Sequence, residues 1–113
     1  KDFYIKYFNA SSNEKYVNPA KGFSSYFLEF GLGKARIELM HRTDINEAEQ
    51  IGHSFLGLAH IAIGLGCEEL VYTMTERLRE DGIKITGEPR ITGDGYLESM
   101  ILDPENNIIE LTV

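Results

Sequence analysis

The chain has a single cysteine, Cys67, no run of basic residues and no long apolar stretch. One thiol cannot close an internal disulfide, so a reduced, cytoplasmic setting is expected. Lys and Arg number 11 against 18 Asp and Glu, a net charge of −7. An acidic chain without a basic cluster argues against nucleic acid and anionic membrane as partners. No segment approaches the roughly 20 apolar residues of a membrane-spanning helix, and none reads as a signal peptide. The 113 residues fit one domain with a thin core. A second copy is a natural cover for leftover apolar surface.

What is present is patterned. Phe3, Tyr4, Tyr7 and Phe8 recur at helical spacing, without a start signal before them. Strand-like segments follow at 14–17 (EKYV), 23–30 (FSSYFLEF) and 35–42 (ARIELMHR). Residues 43–57 are polar, then glycine-bearing. Asp44 and Glu47 have capping-box spacing there, which suggests a short helix or loop. LAHIAIGL (58–65) reads as a strand. Residues 67–81 read as a helix, with Leu70, Val71, Met74 and Leu78 as its apolar stripe and Gly82 at its C-cap. Strands are expected again at 85–92, 96–103 and 107–113, with a turn at DPENN (103–107).

This order implies a repeat. Residues 25–39 laid over 97–111 without a gap superpose Ile37, Glu38 and Leu39 on Ile109, Glu110 and Leu111. The expected architecture is α+β. Two βαβββ modules, at about 1–43 and 57–113 of a single domain, would form a cupped, incomplete barrel of mixed sheet. Module 1 lacks its opening strand. Placing Leu78 over Phe8 puts the counterpart of His60 about ten residues before Lys1. These residues therefore read as an N-terminally shortened form of a longer chain.

Alternation along strands selects the chemistry. Ile109, Leu111 and Val113 share one face and Glu110 lies on the other. Glu38 opposes Ile37 and Leu39, and His60 opposes Ile61 and Ile63. Two carboxylates and an imidazole converging from three strands would need a positive charge among them. A divalent metal meets that need, and His/Glu/Glu suits Ni, Zn, Mn or Fe(II). Two solvent-facing glutamates and a satisfied core histidine are the alternative, and the residues alone leave both open.

The chain resembles the vicinal-oxygen-chelate superfamily, which contains glyoxalase I, bleomycin-resistance proteins and extradiol dioxygenases. The resemblance is carried by IEL at 37–39, LAHIAI at 58–63, GDGYLES at 93–99 and LDPENNIIEL at 102–111. In the glyoxalase I pattern His or Gln, Glu, His and Glu hold a metal in chain order. Glu38, His60 and Glu110 match the last three, and the first belongs on the missing strand. The resemblance implies a metalloenzyme like lactoylglutathione lyase. Glu110 would be its base and Glu38 a partner across the metal. The reaction implied is isomerisation of an α-oxoaldehyde–thiol hemithioacetal, with a small thiol as co-substrate, in a cytoplasmic homodimer. Arg42 stands where glutathione-using members carry Asn, so another thiol or dicarbonyl is open. Arg36 and Arg42 share the strand parity of Glu38 and could reach a substrate carboxylate, or pair with nearby acids. Tyr96 could line the cavity or pack. Cys67 reads as structural, and His41 and His53 as surface or loop residues. The competing functions are a metal-free binding protein of the bleomycin-resistance kind and an Fe(II) ring-cleaving dioxygenase.

Overall fold

The computed structural model describes residues 1–31, 36–44, 58–93 and 95–113. His53 and Glu47, and with Glu47 the capping box, lie outside these residues. The chain divides into two units, Lys1–Glu49 and Gln50–Val113. Each is α+β with one open four-stranded sheet.

In the first unit, helix α1 (Asp2–Phe8) buries Tyr4 and Tyr7, and the Tyr4 ring meets Phe30 edge-on. Strand β3 (Phe23–Glu29) pairs along its whole length with β4 (Arg36–Arg42). Its other edge takes two short strands, β1 (Ser11–Ser12) and β2 (Tyr16–Asn18). One continuous strand over 14–17 is therefore replaced by a strand broken at a bulge. Residues 13–15 oppose only 26–27, because Ser12 pairs with Leu28 and Tyr16 with Ser25. Asn13 bridges the break: its Oδ1 accepts the Phe27 N–H at 2.7 Å and its own N–H donates to the Phe27 carbonyl at 3.4 Å.

In the second unit, β5 (Ile61–Gly64) leads to α2 (Glu68–Glu80), then β6 (Ile85–Ile91), β7 (Leu97–Leu102) and β8 (Ile108–Thr112). The sheet order is β5-β8-β7-β6, with β5 parallel to β8 and the other pairs antiparallel. Helix α2 packs on β6, β7 and β8. Its buried face is Val71, Thr75 and Leu78, against Leu97, Ser99, Ile101, Ile109 and Leu111. Of the expected apolar stripe, Val71 and Leu78 are buried and Leu70 is exposed, while Thr75, outside that stripe, is buried. A buried hydroxyl is tolerated because it is bonded. Thr75 Oγ1 lies 2.6 Å from the Val71 carbonyl and 2.7 Å from Ser99 Oγ. Acidic Glu68 and Glu69 open the helix and basic Arg77 and Arg79 close it, matching its dipole. Gly82 at φ +79° ends it, and the Ile83 N–H returns to the Leu78 carbonyl at 2.9 Å.

The two hairpins are related as the repeat implies, with one correction. Phe27 pairs with Glu38 and Met100 with Glu110. The second strands superpose at the expected offset, whereas the first strands are shifted by one further residue. Buried Leu28 then lies over buried Ile101. The first ladder ends at Glu29 and Arg36 and the second at Leu102 and Ile108, so six residues connect the first pair of strands and five the second. The shorter turn is held by buried Asp103. Its Oδ1 accepts from the backbone N–H groups of Glu105 and Asn107, and its Oδ2 from Asn107 Nδ2, all within 2.9 Å. In the helices, buried Tyr4 and Tyr7 match Thr75 and Leu78, so Leu78 lies over Tyr7 rather than Phe8.

Three outcomes follow for stability. Leu78→Ala should cost about 2–5 kcal/mol in urea unfolding, because the cavity lies at the helix–sheet contact. Asp103→Ala should cost about 1–3 kcal/mol by stripping three donors of their acceptor. Glu105→Ala, on the exposed side of the same turn, should stay within about 0.5 kcal/mol.

Candidate functional site

The alternation that puts Ile109 and Leu111 under α2 turns Glu110 to the opposite face of the second sheet. Glu98 and Met100 of β7 share that face, because Thr112 pairs with Glu98 and Glu110 with Met100. On the other side of β8, Glu110 is opposite Ala62. His60 lies one residue before β5 rather than within a longer strand. The β5–β8 ladder opens at Ile61 and Ile109, one residue after His60. Its side chain keeps the parity of Ala62 all the same. His60 Nε2 stands 3.3 Å from Glu110 Oε2, with 40% and 15% of the two side chains exposed.

The donor geometry fits a metal. Two ligand atoms each about 2.1 Å from one ion, at angles between octahedral and tetrahedral, lie roughly 3.0–3.4 Å apart. The His60–Glu110 separation is in that interval. An imidazole nitrogen and a carboxylate oxygen also form the mixed set that Zn, Ni, Mn and Fe(II) accept. Within either unit, among the described residues, no cluster of three His, Cys, Asp or Glu side chains forms. His60 and Glu110 stand as a pair among the described residues of the second unit.

Glu38 occupies the corresponding ladder position of the first unit. It is exposed on β4, paired with Phe27 and on the face opposite Leu28. Arg36 and Arg42 share its face, and both are tied to acids. Arg36 Nη1 is 3.5 Å from Glu29 Oε1, and its guanidinium lies 5.3 Å from the Phe27 ring centre. Arg42 chelates Asp44 through Nε at 2.8 Å and through Nη2. The hydrogen bonds from Arg42 hold the Asp44 carboxyl below its ordinary range, and Asp44 raises Arg42 in turn. Arg36 also lines a cavity of about 290 Å³ with Ser11, Ser12, Asn13, Phe27 and Glu29. Tyr96 sits in the turn after β6 with its side chain largely exposed, and Thr92 holds that turn. Cys67 is the exposed N-cap of α2, and His41 is an exposed residue of β4.

One pair is absent from the sequence reading. Arg90 Nη2 donates to Glu98 Oε1 at 2.8 Å, and the Glu98 side chain is only 9% exposed. Glu98 alternates with Ser99 and Ile101 in LESMIL, the same signal that singles out Glu110. Arg90 carries no such signal, because a register shift between Gly87 and Arg90 breaks the parity of β6.

Comparison with known proteins places this chain in a family. No match is found among curated proteins. Solved structures of the same fold include maize glyoxalase I, 24% identical over 98% of this chain and 38% of that one, with a TM-score of 0.75. A glyoxalase family protein from Enterococcus faecalis is 23% identical over 100% of this chain and 85% of its own, also at 0.75. The trypanothione-dependent glyoxalase I of Leishmania major is 21% identical over 98% and 73%, at 0.74. This chain spans less than half of the maize protein. No helix among the described residues is long and apolar enough to cross a membrane. The family model for the Glyoxalase/Bleomycin resistance protein/Dioxygenase superfamily matches residues 1–111, and the chain belongs to that superfamily.

Proposed function

We propose that the protein is a divalent-metal-dependent lyase or isomerase of the glyoxalase type. Its substrate would be the hemithioacetal of an α-oxoaldehyde and a small thiol, or a similar compound with two adjacent oxygens. The observation that carries this reading is the 3.3 Å approach of His60 Nε2 to Glu110 Oε2 on the sheet face away from α2. His60 and Glu110 would hold the metal, and Glu38 is proposed as a further donor on family resemblance. A bound metal would supply Lewis acidity toward the substrate oxygens. Glu110 is proposed as the base: its carboxylate takes a proton from one carbon and returns it to the neighbour. His60, from the mouth of β5, would share the metal with that carboxylate. The largely buried setting of Glu110 limits competition from water.

A second reading keeps the fold without the metal. The cavity beside Arg36 supports a small-molecule binding protein of the bleomycin-resistance kind. We also propose a homodimer, since β5 and β6 end the second sheet and an end strand is a ready pairing edge.

The reading predicts that Zn, Ni, Mn or Fe(II) restores turnover of a dicarbonyl hemithioacetal to chelator-treated protein. Glu110→Gln should lower that turnover by about 10²–10⁴-fold with circular dichroism unchanged. Undiminished turnover in the variant would remove Glu110 as the base. Absence of turnover with all four metals, across a panel of thiols and dicarbonyls, would favour the binding protein. Light scattering of the whole protein should give twice the chain mass at micromolar concentration, and a monomer would contradict the dimer.

A further inference from the structure

Arg90 and Glu98 lie on the face of the second sheet that carries His60 and Glu110. Glu98 is a buried carboxylate, and a buried charge without a partner is costly. Arg90 supplies the partner, yet just over half of its own side chain is exposed. Among the described residues Glu98 is the one acid paired with it. A guanidinium has five N–H donors in a rigid fork, so anchoring one edge on Glu98 orients the others.

The position of that guanidinium is set by a glycine. A Cβ built at Gly87 would lie 3.2 Å from Arg90 Nη1 and 3.2 Å from Met100 Cβ. Arg90 thus folds back along β6 and covers Gly87, using space that a side chain would occupy. Gly87 pairs with Met100, Met100 with Glu110 and Glu110 with Ala62. These four residues form one row across the sheet. The Arg90 guanidinium stands over one end of it. The His60–Glu110 pair stands at the other, with the Met100 side chain between.

We propose that Arg90 is the anion-binding residue of this site. It receives the carboxylate of a ligand whose oxygens meet the His60–Glu110 end, and it thereby selects acidic substrates. The proposal rests on the metal reading given above. It adds the chemical class, a vicinal-oxygen compound with a carboxylate on a short apolar chain. Two strand spacings put the backbones of Gly87 and Glu110 about 10 Å apart. Allowing a hydrogen-bond length of about 3 Å at the guanidinium, about 7 Å remains, the oxygen-to-oxygen reach of a chain of about five carbons. Met100 gives that chain an apolar floor.

The test uses zinc-loaded protein and glutaric acid monohydroxamate, which has adjacent oxygens at one end and a carboxylate at the other. Its methyl ester is the uncharged control. Calorimetry should show the acid binding at least ten-fold more tightly than the ester. The preference should fall below two-fold in Arg90→Gln. It should fall equally in Arg90→Gln combined with Glu98→Gln, where no buried charge is stranded. A second measurement needs neither metal nor variant. Glutarate added to metal-free protein should shift the Arg90 Nε–H signal in a ¹H–¹⁵N spectrum, and chloride at equal ionic strength should not. If neither hydroxamate binds the zinc form while the Arg90 signal still responds to glutarate, the metal reading fails and the anion site stands. Equal binding of acid and ester, a preference that survives loss of Arg90, or an unresponsive Arg90 signal overturns the proposal.

Discussion

The contact between α2 and one face of its sheet governs everything else in the second unit. Val71, Thr75 and Leu78 need Ile101, Ile109 and Leu111 beneath them. Each fully buried aliphatic side chain contributes about 1.5–3 kcal/mol. With side chains alternating at period two, that demand leaves no freedom of register. A slip of one residue in β8 would put Glu110 under the helix and Leu111 on the open face. The helix therefore fixes the direction of a carboxylate that it never touches. The same constraint acts through β5: Ile61 and Ile63 turn toward the α2 face, so His60 is carried to the Glu110 side.

The two units use one device to different degrees. Glu38 and Glu110 hold the same ladder position, each paired with an apolar residue of the preceding strand. Glu38 is exposed on the surface of its own unit, whereas Glu110 is half-buried against an imidazole. Around Glu38 the cations Arg36 and Arg42 are neutralised locally by Glu29 and Asp44. Around Glu110 the second carboxylate, Glu98, is neutralised by Arg90. The open face of the second unit thus keeps opposite charges at separate places on one row, with Met100 spacing them.

Much of this was legible in the sequence, for a physical reason. IIELTV alternates cleanly because one side of the strand is core, and that pattern gives its faces directly. DPENN declared its turn through Pro and Asn. Legibility failed where local geometry departs from ideal alternation. His60 follows the parity of a strand without belonging to one, since the β5–β8 ladder opens only at Ile61 and Ile109. The bulge at 13–15 depends on an Asn13 side chain reaching across to Phe27, which no period reveals. The register shift in β6 hid Arg90 from parity altogether. The single residue that separates the two hairpin turns was absorbed by an ungapped alignment, because IEL matches in both strands regardless. Thr75 was missed as a core residue because its hydroxyl looks polar until Ser99 is placed opposite it.

The central claim is that register brings His60 Nε2 and Glu110 together as two donors to one cation. Long-range ¹H–¹⁵N spectra of the histidine ring during zinc addition test it most directly. The account predicts that the Nε2 resonance of His60 moves to the position of a metal-bound nitrogen at stoichiometric zinc, with Nδ1 remaining protonated. It also predicts that Glu110→Gln weakens the same titration at least ten-fold, by the loss of one ligand or its orienting partner. A His60 ring that ignores zinc, or one that binds it through Nδ1 with equal affinity in Glu110→Gln, would contradict it.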